Sequence, residues 1–281
     1  MIPAMSYAWF IPIGFLAGAY GTLIGAGGGF VLVPLLLFIS PSEQPAVITA
    51  TSFAIIFLNA VSGTAAYAGM RRIGYKTGIL FALATVPGAI AGSALTPLIS
   101  RSAFGLLFGA ALIGAAAFLI ARQLARRGPN NSTAAGPRAA PGPAVVETVI
   151  DREGNAYALS YDVRLGMGLS LLIGLISSLI GIGGGLIHVP LLTYLLGFPL
   201  HIATATSHFI LMFTALAAAV THIINGTFPS DLLRLLFLAI GVVPGAQLGA
   251  FVSRRISTPW IVVGLAAALG LVGIRLIATA I

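Results

Sequence analysis

The stretch Leu23-Ile24-Gly25-Ala26-Gly27-Gly28-Gly29-Phe30-Val31-Leu32-Val33-Pro34-Leu35-Leu36 occurs a second time, as Leu179-Ile180-Gly181-Ile182-Gly183-Gly184-Gly185-Leu186-Ile187-His188-Val189-Pro190-Leu191-Leu192. The two copies are 156 positions apart and agree at ten of fourteen positions. We call their glycine-rich parts, residues 25–29 and 181–185, the two glycine boxes. The duplication predicts a chain that is built from two related halves.

Apolar residues dominate the chain and indicate a polytopic helical membrane protein. Of the 281 residues, 58% are hydrophobic and 7% are charged, whereas a soluble domain has about 25% charged residues. Apolar runs long enough to span a bilayer recur along the sequence. Cysteine is absent, which excludes disulfides, thiolate metal sites and cysteine nucleophiles. The net charge of +8 comes from Arg and Lys in loops and at helix ends, a pattern typical of membrane topology rather than of nucleic-acid binding.

Each half contains four apolar segments, which we call A to D and A′ to D′. In the first half, A covers residues 7–26 with a short run to 39, B covers 46–69, C covers 77–99 and D covers 102–121. In the second half, A′ covers 165–182 with a short run to 196, B′ covers 200–224, C′ covers 231–252 and D′ covers 258–280. The predicted fold class is therefore all-α. Residues 1–122 form the first transmembrane repeat, 123–164 a cytoplasmic linker and 165–281 the second repeat. The linker starts with a flexible composition, and residues 145–161 predict a small β-hairpin.

Glycines inside segments A and A′ predict that these helices are broken. Broken backbone at membrane depth is tolerated only where it is buried in protein or lines a cavity. Two breaks at matching places in two halves point to a transporter binding site, while close packing through small residues is the alternative interpretation. Because a residue before proline resists helical geometry, we expect Val33 to be extended and the short helix to begin near Pro34.

Two arrangements of the halves are open. If each segment A turns back as a re-entrant hairpin, the repeats are inverted; if it crosses once, they are parallel. Both arrangements place eleven of the 14 basic residues on the linker side, so the positive-inside rule does not separate them. The length of segment A favours the hairpin and hence inverted repeats.

The chain resembles the sulfite exporter TauE/SafE family of bacterial membrane permeases. The resemblance lies in motifs that recur in both halves and cover nearly the whole chain except the linker: the glycine boxes with Val33-Pro34-Leu35, Ala50-Thr51-Ser52 with Ala205-Thr206-Ser207, Arg71-Arg72, Gly88 with Gly92, and Gly245 with Gly249. The second half departs from this pattern, because Asn225 and Gly226 stand in place of the basic loop. The resemblance implies export of a small sulfur-containing anion such as sulfite, sulfoacetate or a related sulfonate.

The glycine boxes are the first candidate substrate site. A helix that starts after a break presents free N–H groups and the positive end of its dipole, and glycine lets a ligand approach the backbone closely. The candidate positions are Gly27, Gly28, Gly29, Gly183, Gly184 and Gly185. Lysine and Ser/Thr of a P-loop are missing after the boxes, and no strand precedes them, which excludes a nucleotide site.

Polar side chains on segments B and B′ are the second set of candidates. Ser52 and Asn59 are seven residues apart, as are Ser207 and Thr214, so each pair lies near one helical stripe. Both a substrate contact and a hydrogen bond between helices account for such a stripe.

All four histidines lie in the second half. His188, His208 and His222 are candidates for proton coupling, because imidazole titrates near neutral pH. The alternative is that they only hydrogen-bond neighbouring helices. His201 lies at a loop, where we expect it to be solvated.

The functional hypothesis is a secondary transporter that exports a small sulfur-containing anion across the bacterial inner membrane. Its expected partners are that anion, membrane lipid and a coupling proton, with no cofactor, metal or nucleic acid. No GxSG nucleophile motif is present, which argues against an intramembrane serine protease. The alternative hypothesis is a non-transport membrane module that anchors or senses through the linker.

Overall fold

The computed structural model describes residues 7–125, 144–253 and 259–280. In these ranges the helices are α1 (Phe10–Ile24), α2 (Gly29–Ile39), α3 (Pro45–Gly69), α4 (Tyr75–Leu95), α5 (Arg101–Ala125), α6 (Val163–Ile180), α7 (Gly185–Pro190), α8 (Leu200–Ile224), α9 (Leu232–Val252) and α10 (Pro259–Ala280). A 3-10 turn (Thr96–Leu98) follows α4, and a π-helix (Leu191–Leu195) follows α7. Strands β1 (Ala144–Ile150) and β2 (Ala156–Asp162) pair antiparallel.

The predicted all-α membrane fold is confirmed. In the described ranges, 6 helices are long and apolar enough to cross a membrane: α3, α4 with its 3-10 turn, α5, α6, α8 and α9. The predicted hairpin is also present, with Ala144 opposite Asp162. The flexible part of the predicted linker, residues 126–143, and the basic pair at 254–255 lie outside the described residues.

Each predicted helix break occurs at a glycine in the left-handed backbone region. Helix α1 ends before Gly25 (φ 86°), and α2 starts after Gly28 (φ 81°). Helix α6 ends in the same way before Gly181 (φ 76°). Glycine adopts this conformation without the steric cost that a Cβ atom brings. The breaks therefore follow directly from the box sequence.

The expectation that the short helix begins near Pro34 is wrong. Helix α2 already begins at Gly29, and the amides of Val31 and Leu32 bond the Gly28 carbonyl at 3.0 and 3.1 Å. The turn at Gly28 starts the helix, which then runs through the proline. In the second half the helix changes at Pro190 to a π-turn, where the Leu196 amide bonds the Leu191 carbonyl at 3.1 Å. Proline lacks the N–H that the α-helical pattern requires.

The described structure separates into two compact units. Among the described residues, one unit covers 7–97 and 144–253, and the other covers 98–125 and 259–280. The first unit contains α1–α4, the hairpin and α6–α9, so it takes helices from both halves of the sequence. The second unit is the pair α5 and α10, in which Gly109 of α5 lies against Gly273 and Ile277 of α10. The division of the sequence into two repeats and a linker stays a prediction.

Within the first unit, helices of one half pack on helices of the other. Helix α1 packs on α9, α6 packs on α4, and α3 packs on α8. Glycines that recur in both halves allow the helix backbones to approach each other closely. A methyl group at Gly245 would lie 2.9 Å from the carbonyl carbon of Phe15, and one at Gly88 would lie 2.9 Å from the amide nitrogen of Leu175. These glycines therefore serve helix packing in both halves.

The chain turns back at each glycine box. The Tyr7 hydroxyl, just before α1, donates to Asp231 at 3.4 Å, and Ser40, just after α2, accepts from Arg234 at 2.9 Å. Both contacts are made with the start of α9, so α1 begins and α2 ends at the same side of the unit. In the second half, the ring of Tyr161 before α6 contacts the ring of Phe198 after the π-helix, with centroids 5.4 Å apart and ring planes tilted by 54°.

The equivalent helices α3 and α8 run in opposite directions. Thr49, near the start of α3, lies 3.4 Å from His222, near the end of α8. Gly63, near the end of α3, lies beside His208, near the start of α8. The two contacts define an antiparallel pair at the centre of the unit.

Candidate functional site

The two glycine boxes meet inside the first unit. A Cβ atom at Gly29 would lie 2.6 Å from the carbonyl oxygen of Ile182 and 2.8 Å from that of Gly181. A Cβ atom at Gly185 would lie 2.9 Å from the Cα atom of Ala26. Residues 25–30 and 181–186 are all buried. Each box therefore packs directly on the backbone of the other.

Two serines fix this junction with hydrogen bonds that cross between the halves. The Ser52 hydroxyl on α3 donates to the carbonyl of Gly181 at 2.9 Å, and the Ser207 hydroxyl on α8 donates to the carbonyl of Gly25 at 3.2 Å. Both serines were predicted as site residues. The structure brings each of them to the box of the opposite half.

Apolar side chains cover the central glycine of each box. A Cβ atom at Gly183 would lie 3.0 Å from both Ile56 Cδ1 and Leu211 Cδ1. At Gly27 the neighbours are the same two side chains, with Ile56 Cγ2 at 3.1 Å. Ile56 and Leu211 were not predicted, although they are separated by the same 155 positions as Ser52 and Ser207. In this structure the central glycines are closed off by hydrocarbon.

The remaining box glycines, Gly28 and Gly184, face their own half. A Cβ atom at Gly28 would lie 2.7 Å from the carbonyl oxygen of Ala17 in α1, and one at Gly184 would lie 2.9 Å from His188 Nδ1. These positions therefore hold the turn against its own helices.

The stripe residues Asn59 and Thr214 have different environments. The Asn59 side-chain oxygen accepts from the Thr22 hydroxyl at 3.0 Å, and its amide nitrogen has no partner among the described residues. The Thr214 hydroxyl donates to the Ile210 carbonyl of its own helix at 3.0 Å. Of this equivalent pair, only Asn59 offers an unused donor.

Two of the predicted proton-coupling histidines have local partners. His188 lies within hydrogen-bond distance of the Gly184 carbonyl (3.0 Å), Ser170 (3.3 Å) and Thr85 (3.4 Å). His222 lies 2.9 Å from the Thr227 hydroxyl, in addition to its contact with Thr49. In both rings the two nitrogens have neighbours.

His208 is the exception among these histidines. It is fully buried, and neither ring nitrogen has a hydrogen-bond partner among the described residues. Its ring contacts the Tyr67 ring edge-on, with centroids 5.7 Å apart. The sequence could not separate His208 from the other two, because the distinction depends on partners from other helices.

The expectation that His201 is solvated is wrong. His201 lies in the first turn of α8, half-buried, with its ring 4.8 Å from that of Tyr157 in β2. The hairpin covers His201 through Tyr157, a contact that the sequence did not predict.

Comparison with known proteins identifies relatives of this chain. The sulfite exporter TauE/SafE family matches residues 10–276. The chain belongs to the sulfite exporter TauE/SafE family. It is 33% identical to the probable membrane transporter protein YunE of Bacillus subtilis (strain 168), over 97% of this chain and 98% of that protein. It is 24% identical to a probable membrane transporter protein of Methanocaldococcus jannaschii, over 94% of this chain and 92% of that protein. No solved structure matches the chain.

Family membership and the apolar helices together make this TauE/SafE protein a multi-pass membrane transporter. Its family implies a small-molecule substrate. No group of three or more His, Cys, Asp or Glu side chains that could hold a metal ion occurs within the described ranges.

At one end of the TauE/SafE helices lies a buried ion pair that the sequence analysis missed. Arg234 in the first turn of α9 is 4% exposed and contacts Glu43 Oε1 at 2.5 Å. It also donates to Ser40, as described above. The signal in the sequence was the pairing of Asp231 with Arg234 at the start of segment C′, where the Asp231 side chain accepts from the Arg234 amide at 3.1 Å.

At the other end, the hairpin caps α4. The Glu147 carboxylate accepts from the amides of Lys76 and Thr77, both at 3.0 Å, and an anion is stabilised at a helix N-terminus. The Thr77 hydroxyl donates to the Glu147 carboxylate and lies 2.8 Å from the Tyr161 hydroxyl. Burial raises the pKa of Tyr161 to about 12.

Proposed function

We propose that this protein is a secondary transporter that exports a small sulfur-containing anion, such as sulfite, sulfoacetate or a related organosulfonate. The observation that carries the proposal is the junction of the two glycine boxes, which joins equivalent backbone breaks from both halves in a buried core. Matching breaks of this kind are the usual location of transporter binding sites. The family description names sulfite export, which supports the choice of anion.

The two halves are inverted repeats in this proposal. Support comes from the antiparallel direction of α3 and α8 and from the return of the chain at each box. Each broken segment A is then a re-entrant hairpin, and the linker and basic loop at Arg71-Arg72 lie in the cytoplasm of a protein of the bacterial inner membrane. Inverted repeats allow the same contacts to open towards either side of the membrane.

Transport requires the junction to open. In the closed arrangement Ile56 and Leu211 cover Gly27 and Gly183. Displacement of these two side chains exposes backbone amides of the boxes to the anion, together with the serines Ser52 and Ser207. Glycine N–H groups at the start of a helix bind oxyanions without a buried arginine. The two boxes, the serines and the stripe residues Asn59 and Thr214 make up the proposed transport path.

Proton coupling belongs to this proposal through the histidines. His208 is the strongest of the three candidates, because neither of its ring nitrogens has a hydrogen-bond partner among the described residues, whereas both nitrogens of His188 and of His222 have neighbours. The titratable group packed on His208 is Tyr67, whose hydroxyl donates to the Thr22 carbonyl at 2.8 Å. Replacement of His208 by Gln removes the titration, so the transport rate of this variant is expected to lose the pH dependence of the wild type.

Proteoliposome flux tests the function. Purified protein is reconstituted, loaded with radiolabelled sulfite or sulfoacetate, and assayed for release against protein-free liposomes. We expect saturable release that unlabelled sulfite competes. Absence of flux for every sulfur oxyanion tested would favour the alternative of a non-transport membrane module that anchors or senses through the linker.

A further inference from the structure

A buried polar cluster lies on one side of the box junction, where α1, α3 and α8 meet. Asn59 and Gly63 are one turn apart on the same face of α3. Thr22, in the last turn of α1, donates to the Asn59 side-chain oxygen. The His208 ring covers Gly63, since a Cβ atom there would lie 2.6 Å from His208 Cδ2 and 3.1 Å from Thr22 Cγ2. We call these four residues the Asn59–His208 cluster.

The cluster holds polar atoms that the protein itself does not satisfy. Asn59 and His208 are both 0% exposed. The Asn59 amide nitrogen and both His208 ring nitrogens have no hydrogen-bond partner among the described residues. Buried polar groups nearly always have a partner in native proteins, and an exception calls for an explanation. Three such atoms within one cluster indicate that a ligand supplies the missing partner.

The other half of the molecule builds the same junction without these atoms. The equivalents of Asn59, Gly63 and His208 are Thr214, Ala218 and Phe53. Thr214 bonds its own helix, and the Phe53 ring stacks on His222 with centroids 6.1 Å apart. The equivalent place also pairs an aromatic ring with an imidazole, His222, but it has a threonine where Asn59 stands and a phenylalanine where His208 stands. Helix packing therefore does not require an amide at position 59 or an imidazole at position 208, which makes a purely structural role a poor explanation for these two side chains.

The chemistry of the cluster fits an oxyanion. Because the Asn59 oxygen is taken by Thr22, the side chain presents its two N–H donors. Imidazole adds one N–H donor when neutral and two when protonated. The six acidic residues of the chain are Glu43, Glu147, Asp151, Glu153, Asp162 and Asp231, and none of them lies in α1, α3 or α8. The cluster thus offers donors without a competing carboxylate.

We propose that the Asn59 amide and the His208 imidazole together bind the oxygen atoms of the transported sulfur oxyanion. The side chains that recognise the anion then have no counterparts of the same type at the equivalent positions of the other half, whereas both halves contribute a glycine box. The Tyr67 ring against His208 fixes the orientation of the imidazole. The identity of the anion rests on the proposed function, whereas the location of the donors rests on the structure alone.

Two variants test the cluster with residues that the other half already uses at the equivalent places. These are Asn59→Thr and His208→Phe. Sulfite and sulfoacetate binding to the purified protein is measured by isothermal titration calorimetry, and flux is measured in proteoliposomes. Loss of one hydrogen bond to a charged ligand predicts that Kd rises about tenfold to a hundredfold in each variant. Flux at low substrate concentration falls with it.

Ser178→Ala is the matched control. Ser178 stands in the second half at the place of Thr22, 156 positions later, and its hydroxyl is also buried without a partner among the described residues. We expect wild-type Kd and flux for this variant. An effect as large as that of Asn59→Thr would overturn the proposal, since it would show that any buried polar change at this junction impairs binding.

A measurement on the unmodified sequence does not depend on how the variants fold. In protein labelled with 15N-histidine, sulfite is expected to shift the ring-nitrogen signals of His208, with His208→Phe used to assign them. Unchanged signals at saturating sulfite overturn the proposal. Wild-type flux with unaltered Kd in both variants also overturns it and leaves the transport function standing. Anion binding that both variants weaken, in a protein without flux, upholds the cluster and overturns the transport function.

Discussion

Gly29 is the position at which one glycine box presses on the other, and Gly29→Ala tests this contact. The added Cβ atom would lie 2.6 and 2.8 Å from two carbonyl oxygens of the opposite box and 2.5 Å from Ile56 Cδ1. Ordinary van der Waals contact begins at 3.4 Å. The carbonyls belong to the backbone, so the opposite box has to move by roughly 0.8 Å to admit the methyl group.

The expected cost follows from these distances. Overpacking of a close-packed core costs about 1–3 kcal/mol, and the better helix propensity of alanine returns up to about 1 kcal/mol. Gly29 has ordinary helical backbone within α2, so the penalty comes from the contact and not from backbone strain. We expect a net loss of roughly 1–2 kcal/mol in the free energy of unfolding. Anion flux is also expected to fall, because the boxes no longer close on each other.

Gly168→Ala is the control for this substitution. Gly168 lies inside α6, and a Cβ atom there meets no atom within 4 Å. Its stability is expected to stay unchanged or rise by about 0.5–1 kcal/mol. Thermal unfolding of both variants in the same detergent, together with proteoliposome flux, gives the comparison. If Gly29→Ala melts at or above the temperature of Gly168→Ala, the boxes do not pack as described and the reasoning is refuted.

Three further predictions follow from other contacts. Ser52→Ala and Ser207→Ala each remove the hydroxyl that bonds a buried carbonyl of the opposite box, so each is expected to lower the free energy of unfolding by about 1–3 kcal/mol. Thermal melts measure this loss, and a loss in only one of the two variants would contradict the equivalence of the two contacts. Glu43→Gln takes the carboxylate from a buried arginine and is expected to cost about 1.5–3 kcal/mol, measured as a lower unfolding temperature, with an unchanged one arguing against the ion pair. Hydrogen bonds, first of all from the Asn155 side chain, hold the pKa of Asp151 below its usual 3.8, so the carboxylate fully stabilises the hairpin turn above that pH, and this stabilisation is lost as the pH falls through the lower pKa of the folded state. Amide hydrogen exchange of the turn, measured against pH in the wild type and in Asp151→Asn, tests this. Equal exchange rates in the two proteins below neutral pH would contradict it.

Local sequence patterns were enough to predict the membrane-protein class, the broken helices and the hairpin. These features depend on local properties. Long apolar runs predict membrane helices because each residue contributes its own transfer free energy. The breaks at Gly25 and Gly181 need only a residue that tolerates positive φ. The expectation of an extended Val33 and a helix start near Pro34 was wrong, because the turn at Gly28 starts the helix at Gly29 and both residues lie inside it.

How the two halves are arranged depends on contacts between distant residues, and inverted repeats stay a proposal for this protein. The count of basic residues is the same for inverted and parallel repeats, so the positive-inside rule does not separate them, and only the length of segment A favours inverted repeats. The contacts of Tyr7 and Ser40 with the start of α9 show that segment A returns to its own side. These contacts join residues that are 224 and 194 positions apart, and local periodicity carries no information about them.

The same limit applies to the candidate site. From the sequence, His188, His208 and His222 were all candidates for proton coupling, and Gly27 and Gly183 were expected to be accessible to a ligand. The structure gives His188 and His222 hydrogen-bond partners and leaves His208 without one among the described residues. Residue type and spacing determine which donors a chain can offer, but whether a donor is used by the protein or left for a ligand depends on the side chains that distant helices place beside it.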